Sequence, residues 1–480
     1  MKSNFFEGYI RPCRIFGNLY FVGTRPASSH LIDTGDGLIL IDAGFPEALD
    51  ELVKNISALG FDPMDIRIIL LSHGHYDHAG AARDLAKMTG ADIYIGKGDL
   101  KMVTGEEDSS LAELFCVSYT QFFTPDVLLS DGDRVSLGNT EILCVSTPGH
   151  TDGTMSFFFD ITDGEGHYRA GMFGGAGTNT LTGEFLSSHS LPYSSRDLFF
   201  GSIERLKQER VEIFLGNHVG NNDTEGKLQR VESGEKDAFF APDGWMAFLK
   251  ERENRLKEII EKERNMNKTV DTILKEKVIM IVRGVAADKL VELAEAMWRG
   301  GIRVMECTYD ASGKIPDEEI AKAIGALVEH FGDKMLIGAG TVLTKKQVQL
   351  TSSVGGKFII SPDTNEEVIK ETKKLGLVSI PGALTPTEAT AAHRAGADLV
   401  KLFPVSQLGF AYVKALCAPL SHIRFLAVGG VNADNVPDYI RSGACGVGMG
   451  LNDSDRQAIL KNDFDHIEEK CRKISDQLNK

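Results

Sequence analysis

Ser72-His73-Gly74-His75-Tyr76-Asp77-His78-Ala79-Gly80 places four metal-binding side chains within six positions. The run follows Ile68-Ile69-Leu70-Leu71, whose unbroken apolar text predicts a buried strand. A strand that opens into a glycine-containing loop can turn several imidazoles toward one point. Neutral imidazole and carboxylate are ligands that zinc accepts, and a hydrolytic zinc site keeps one position for water. This stretch therefore predicts a metal-dependent hydrolytic site in the first half of the chain.

The text around it fits an α/β sandwich. Leu38-Ile39-Leu40-Ile41-Asp42 predicts a strand that ends in an acid and Gly44, and residues 48–59 have helical spacing. A helix is expected over 79–88, with strands over 93–95, 134–137, 141–146 and 155–159. Mixed strands and helices joined by long loops argue for layered sheets with helices outside. Pro242 opens a helical stretch in which Trp245, Phe248, Leu249, Leu256, Ile259 and Ile260 recur on one face. Residues 261–268 lose that periodicity, and the domain boundary is placed there: one domain over 1–264, another over 272–480.

The second domain has a different texture. Apolar strands are expected at 278–281, 303–307, 335–338, 358–360, 378–380, 399–403, 425–428 and 446–449. Helical segments such as 289–298 and 317–330 lie between them. Repeated β-then-α units imply a parallel sheet, and this many units in about 200 residues predict a (β/α)8 barrel.

Bulk properties narrow the function. The chain has 480 residues and a net charge of −16, which argues against broad electrostatic binding to nucleic acid or anionic membrane. No segment has the uninterrupted apolar length of a membrane span, and Met1–Glu7 carries nothing that reads as a signal peptide. Seven scattered cysteines without a CxxC pair suggest free thiols in a reducing cytoplasm. Cys144 alternates with apolar neighbours and reads as a core thiol rather than a ligand.

With Asp42 in Leu40-Ile41-Asp42-Ala43-Gly44, His150 in Thr147-Pro148-Gly149-His150-Thr151-Asp152-Gly153 and His218 in Gly216-Asn217-His218, the histidine cluster resembles the signature of the metallo-β-lactamase-fold hydrolases over about residues 15–262. The resemblance implies that His73, His75 and His150 hold one metal and that Asp77, His78 and His218 hold a second. Zn2+ is the expected ion, one or two per site, with another divalent metal as the alternative. Two such ions lower the pKa of a shared water from about 15.7 to about 7, giving a nucleophile for an ester- or lactone-type bond. Asp77 would also orient that water, and Asp42 would fix an imidazole tautomer. Many members bridge the metals with an acid that Met172-Phe173-Gly174-Gly175-Ala176-Gly177 lacks, so one metal is the alternative to two. His189 and Tyr193 lie in a loop that could reach the site. The other histidines read as ordinary surface or core residues.

Lys401 interrupts a barrel strand, Leu399-Val400-Lys401-Leu402-Phe403. Apolar surroundings disfavour the ammonium and lower its pKa from about 10.4, leaving an amine able to attack a ketone. On this strand alone, a lysine whose tip reaches out of the barrel end is an equal reading. Val304-Met305-Glu306-Cys307-Thr308, Gly338-Ala339-Gly340-Thr341, Ile360-Ser361-Pro362, Ile380-Pro381-Gly382-Ala383 and Lys401-Leu402-Phe403-Pro404 resemble the successive strand ends of the KDPG/KHG aldolase family, over about residues 272–455. The resemblance implies a Schiff base on Lys401, general acid/base work by Glu306, and a substrate carboxylate held by Arg283 and Thr341. Pro362, Phe403, Gly429 and Gly430 would line the substrate site.

Three departures concern the substrate. Asp310 stands where some members carry arginine, Val428-Gly429-Gly430 replaces Thr-Gly-Gly, and Leu451 replaces a serine. The last two remove hydroxyls from the expected phosphate site and weaken the case for a phosphorylated substrate.

The joint reading is a bifunctional enzyme, a metallo-hydrolase fused to a class I aldolase. The aldolase would cleave a 2-keto-3-deoxy or 4-hydroxy-2-oxo acid to pyruvate and an aldehyde in sugar-acid catabolism. Small-molecule substrates are expected, no organic cofactor, and by family analogy a homotrimer. Two other readings are a metal-binding scaffold attached to an active aldolase, and a barrel that senses keto acids beside a separate hydrolase.

Overall fold

The computed structural model describes residues 10–107, 109–162, 166–235 and 237–478. The segment Met1–Glu7, read above for a signal peptide, lies outside the described residues. The chain divides into two compact units, Met1–Ile260 and Glu261–Lys480.

The first unit holds two sheets. One has seven strands in sequence order: β1 (Cys13–Phe16), β2 (Leu19–Phe21), β3 (His30–Asp33), β4 (Leu38–Ile41), β5 (Ile66–Leu70), β6 (Asp92–Gly96) and β7 (Val127–Leu129). The other has five: β8 (Arg134–Leu137), β9 (Thr140–Ser146), β10 (Met155–Thr162), β11 (His167–Met172) and β12 (Ile213–Leu215), in the order β12-β11-β10-β9-β8.

Side chains alternate between the faces of a strand, and the core clusters follow that alternation. Ile39, Ile41 and Leu70 join Cys144, Phe157, Phe159 and Leu215 in one cluster between the sheets. Leu38, Leu40 and Ile69 turn the other way, onto Leu52 and Ile56 of helix Leu49–Ala58 and Leu85 of helix Ala82–Thr89. On the far side, Phe158 and Phe214 pack with Phe199 of helix Ser194–Leu206 and with Trp245, Phe248, Leu249 and Leu256. The unit is thus an αββα sandwich with its apolar text buried in three layers.

Two local features differ from the sequence reading. The helix expected over 79–88 is two helices, Tyr76–Ala79 and Ala82–Thr89. The boundary region is also not a break in the backbone: helix Gly244–Glu276 runs through it. Residues 261–268 have only Met266 to pack against the second unit's interior cluster, yet Glu, Lys and Arg are strong helix formers. The helix continues on propensity until Val270 and Ile273 enter the interior cluster of the second unit.

That unit is a parallel barrel. Its strands are β13 (Val278–Val282), β14 (Val304–Thr308), β15 (Leu336–Gly340), β16 (Phe358–Ile360), β17 (Val378–Ile380), β18 (Gly382–Ala383), β19 (Val400–Leu402), β20 (Phe425–Val428) and β21 (Gly446–Gly450). They form one sheet in the order β17-β16-β15-β14-β13-β21-β20-β19-β18. The two end strands are consecutive pieces of one chain segment separated only by Pro381, which gives the nearly closed ring of a TIM-type barrel.

Here too the two-residue period decides what faces inward. Met305 and Cys307, and likewise Val400 and Leu402, belong to the shell packed under the outer helices. The residues between them, Glu306 and Lys401, share the opposite face of the sheet with the interior set of Ile279, Ile360, Ile380, Leu426 and Val428. No helix among the described residues is long and apolar enough to cross a membrane.

Candidate functional site

The histidine loop begins where β5 ends. The donor atoms of His73, His75 and His150 lie within 4.8 Å of one another, and so do those of Asp77, His78 and His218. Six positions spread over 146 residues of chain therefore close into two neighbouring donor sets.

Hydrogen bonds set which ring nitrogen three of the histidines present. Nδ1 of His78 meets Asp42 Oδ2 at 2.9 Å, Nδ1 of His218 meets the Pro26 carbonyl at 2.7 Å, and Nδ1 of His150 meets the Gly177 carbonyl at 2.9 Å. An Nδ1–H donated outward leaves Nε2 as a lone pair turned into the site. Nε2 of His78 and of His218 then face each other at 3.4 Å. Nε2 of His73 is buried with no hydrogen-bond partner among the described residues. Lone pairs so close repel unless a cation or a proton lies among them, so the donor set fits a divalent metal.

The electrostatics differ between the two sets. Burial, reinforced by neighbouring imidazoles, holds His73 and His75 well below the usual histidine range and brings His150 down to about 4. These three rings are neutral at pH 7, the form a metal ligand requires. Burial also opposes charge on His78, but Asp77 and Asp42 outweigh it and raise the ring to about 10. Those two carboxylates make this spot attractive to a positive charge. Asp42 sits at φ +58° and also accepts from the Ser72 N–H and hydroxyl at 2.7 and 2.8 Å. It therefore ties the end of β4 to the start of the histidine loop.

The segment 174–177 packs on His150 without contributing an acid. A Cβ at Gly175 would come 2.9 Å from His150 Cβ, and one at Gly177 would come 2.9 Å from Cε1. The Tyr193 hydroxyl contacts Ser187 and the Gly183 carbonyl, its ring lies under Arg196, and the side chain is exposed. His189 stacks on Phe185.

The second site lies at the C-terminal ends of the barrel strands. Lys401 is 6% exposed and Glu306 1%. Both line a small void of about 10 Å³ and an open cavity of about 410 Å³. The void is about the size that one water needs. Lys401 Nζ lies 4.9 Å from the centre of the Phe403 ring. Gly340 makes room for the glutamate, since a Cβ there would sit 2.5 Å from its Cδ. Glu306 Oε2 is buried with no hydrogen-bond partner among the described residues.

Burial raises Glu306 to about 7, against the pull of Lys401 and Arg283. Burial lowers Lys401, opposed by Glu306 and helped by Arg283. A carboxyl that titrates near neutrality beside a depressed amine is the pairing that acid–base chemistry on an imine needs.

Arg283 Nη2 donates to Thr341 Oγ1 at 3.1 Å, and Thr341 holds φ +55°, strained for a β-branched residue and characteristic of functional positions. Pro362, Phe403, Gly429 and Gly430 also line the open cavity. Asp310 lines a neighbouring cavity with Arg283 and Thr341. It accepts from the amides of Ser312, Lys314 and Ile315 and so organises its own loop.

Residues 270–470 match the family model described as KDPG and KHG aldolase. The 2-dehydro-3-deoxy-6-phosphogalactonate aldolase of Escherichia coli is 39% identical over 173 residues, which cover 36% of this chain and 82% of that protein. The chain belongs to the KDPG and KHG aldolase family. The 2-dehydro-3-deoxy-phosphogluconate aldolase of Treponema pallidum is 34% identical over 195 residues, 40% of this chain and 88% of that aldolase. Ahead of the aldolase barrel, residues 22–163 match the metallo-beta-lactamase superfamily. The native FEZ-1 metallo-beta-lactamase from Legionella gormanii is 31% identical with a TM-score of 0.50, covering 53% of this chain and 97% of that one. A subclass B3 metallo-beta-lactamase of Bradyrhizobium japonicum shares the fold at 24% identity and TM-score 0.50, over 55% of this chain and 98% of that chain. One polypeptide thus joins a metallo-β-lactamase-fold domain to an aldolase-family barrel.

Two residues that sequence reasoning passed over sit at these sites. Arg456, on helix Asp453–Leu460, lines the open aldolase cavity beside Gly450 and Leu451 and donates to the Arg283 carbonyl at 3.3 Å. Asp99 lies buried against the histidine loop. Neither stands in a motif, and each reaches its place only through the tertiary fold.

Proposed function

We propose that this aldolase-family chain is a bifunctional enzyme whose barrel cleaves 2-keto-3-deoxy or 4-hydroxy-2-oxo acids to pyruvate and an aldehyde. The observation that carries the reading is the buried Lys401 amine sharing one cavity with a buried glutamic acid that titrates near 7.

The chemistry runs as follows. The neutral Lys401 amine adds to the C2 carbonyl of the keto acid, and loss of water leaves an iminium. Glu306, through a water in the small void, takes the proton of the C4 hydroxyl. The C3–C4 bond then breaks, its electrons enter the iminium as an enamine, and the aldehyde departs. Protonation of C3 and hydrolysis release pyruvate and the free amine. Arg283 and Thr341 hold the C1 carboxylate.

Glu306→Gln tests this. Turnover is expected to fall by about 10²- to 10⁴-fold, while the lysine still captures pyruvate. The same variant has a stability signature. The Glu306 carboxyl has its pKa raised on folding, so between about pH 4.5 and 7 the folded state binds more protons than the unfolded one. Wild-type stability therefore falls as pH rises through that window. Relative to wild type, Glu306→Gln gains about 3 kcal/mol at pH 8 and almost nothing at pH 4. Unchanged turnover, or a gain that does not depend on pH, would count against the assignment.

The cavity also carries Arg283 and Arg456, neither with a carboxylate partner among the described residues. This supports a substrate with a second anionic group at its far end. Arg456→Ala is expected to raise KM about tenfold or more for a keto acid with such a group and little for one without it. Equal effects on both would remove Arg456 from substrate recognition.

For the first domain, the proposal is hydrolysis of an ester- or lactone-type bond. When bound, Zn2+ or another divalent ion supplies Lewis acidity and lowers the pKa of a water. His73, His75 and His150 would offer neutral lone pairs to one ion, and Asp77, His78 and His218 would hold a second, in place of the proton that Asp77 and Asp42 favour on His78. Asp77 would also accept a hydrogen bond from the attacking water and aim it. A lactonase and a keto-acid aldolase on one chain suit sugar-acid catabolism, where a ring is opened early and a C–C bond is cut late. The catalytic domains are taken as 1–264 and 272–480, in a cytoplasmic homotrimer with reduced thiols.

A further inference from the structure

The turn after β6 brings Asp99 into the first unit with 1% of its surface exposed. Its carboxylate accepts three hydrogen bonds. Oδ2 takes the Gly74 N–H at 2.8 Å and the Thr151 hydroxyl at 2.9 Å, and Oδ1 takes the Gly153 N–H at 2.7 Å. Gly74 stands between His73 and His75, and Thr151 follows His150. One side chain therefore grips the two loops that supply all three members of the first donor set.

The grip is tight at the backbone. A Cβ at Gly153 would lie 2.3 Å from the Asp99 nitrogen, and a Cβ at Gly98 would lie 2.5 Å from the Asp152 carbonyl carbon. The two segments approach closely enough that only glycine fits at either place. Thr151 is itself held by Thr154, hydroxyl to hydroxyl at 2.8 Å. No cation pairs with Asp99 among the described residues. Three neutral donors carry the buried carboxylate alone, and burial is the main influence on its protonation.

The second donor set is braced elsewhere. Asp42 holds His78, and the Pro26 carbonyl holds His218. Asp42 also reaches His73 through Ser72, whose hydroxyl lies 3.0 Å from His73 Nδ1. Asp42 thus touches histidines of both sets, whereas the bonds of Asp99 go only to positions beside members of the first: Gly74 between His73 and His75, and Thr151 and Gly153 just beyond His150.

We propose that Asp99 is the positioning residue of the first donor set, fixing the separation of the His73/His75 loop from the His150 loop and so setting metal affinity at that set alone. It touches neither substrate nor metal. The proposal rests on the reading of the six side chains as metal ligands and adds to it a division of labour between two buried carboxylates.

The test is a zinc titration of the full chain against a chromophoric chelator, in two backgrounds. In His218→Ala only the first set keeps three donors. In His150→Ala only the second does. Asp99→Asn preserves size but puts an NH2 group against N–H and O–H donors. It is expected to weaken zinc binding about tenfold or more in the first background and by less than about threefold in the second. Thr151→Val removes one of the three hydrogen bonds and should give a smaller loss with the same selectivity, which covers the case of an Asp99→Asn chain that does not fold. Equal losses in both backgrounds, or zinc binding by both variants at wild-type affinity, would overturn the proposal. A wild-type chain that binds no zinc would instead overturn the metal-site reading itself.

Discussion

Lys401→Met is expected to abolish aldol cleavage, lowering pyruvate release from 2-keto-3-deoxy and 4-hydroxy-2-oxo acids by about 10⁴-fold or more. The size follows from the role. Every bond change after the first addition uses the imine as its electron sink, so no later group compensates for a lost amine. Methionine suits the test because Lys401 is almost fully buried and lies between Val400 and Leu402, which pack into the outer shell. An unbranched side chain of similar length refills that space. The barrel should fold, and hydrolysis by the first domain should be unchanged, since no residue of the metal centre lies in the second unit. The assay is pyruvate release under saturating keto acid. Residual turnover within tenfold of wild type would mean that the lysine is not the nucleophile.

The opposite separation is expected for Asp77→Ala and for treatment with a strong chelator. Both should remove hydrolysis of a sugar lactone, by about 10²- to 10⁴-fold for the substitution, and leave aldol cleavage intact. Asp77 has two tasks. It is one of three donors in its set, and it is the only acid in either set. With it gone, His78 and His218 face each other with one less negative charge to draw a cation between them, and an attacking water loses the acceptor that aims it. Added zinc should restore activity to the chelated wild type and not to Asp77→Ala. Hydrolysis that survives the substitution and depends on metal would move the water-orienting role to another residue.

Much of this was legible in the sequence, for reasons that differ by site. The histidine loop was legible because its candidate donors are local, with four of the six delivered by one strand end. Lys401 was legible as an anomaly: a charge inside a strand must be masked, paired or used. Glu306 was legible only through the resemblance to the aldolase family; the structure then sets it as the inward member between outward Met305 and Cys307. Asp99 was not legible. Lys97-Gly98-Asp99 reads as a surface turn, and nothing in a linear text says that Gly74 and Gly153 will both bring an N–H to one carboxylate. Arg456 was hidden likewise, since an arginine in a polar helix is ordinary until the fold sets it at a cavity mouth. The continuous helix Gly244–Glu276 was missed because periodicity signals burial, and residues 261–268 carry a single apolar side chain, Met266, too little to show a period.

The central claim is that a buried amine at position 401 reacts as a nucleophile with a 2-oxo acid. Incubating the full chain with pyruvate and sodium borohydride, then mapping the modified peptide by mass spectrometry, tests it most directly. The account predicts a single reduced pyruvate adduct on Lys401, absent from Lys401→Met. An adduct on any other lysine, or no adduct on a folded chain, would contradict it.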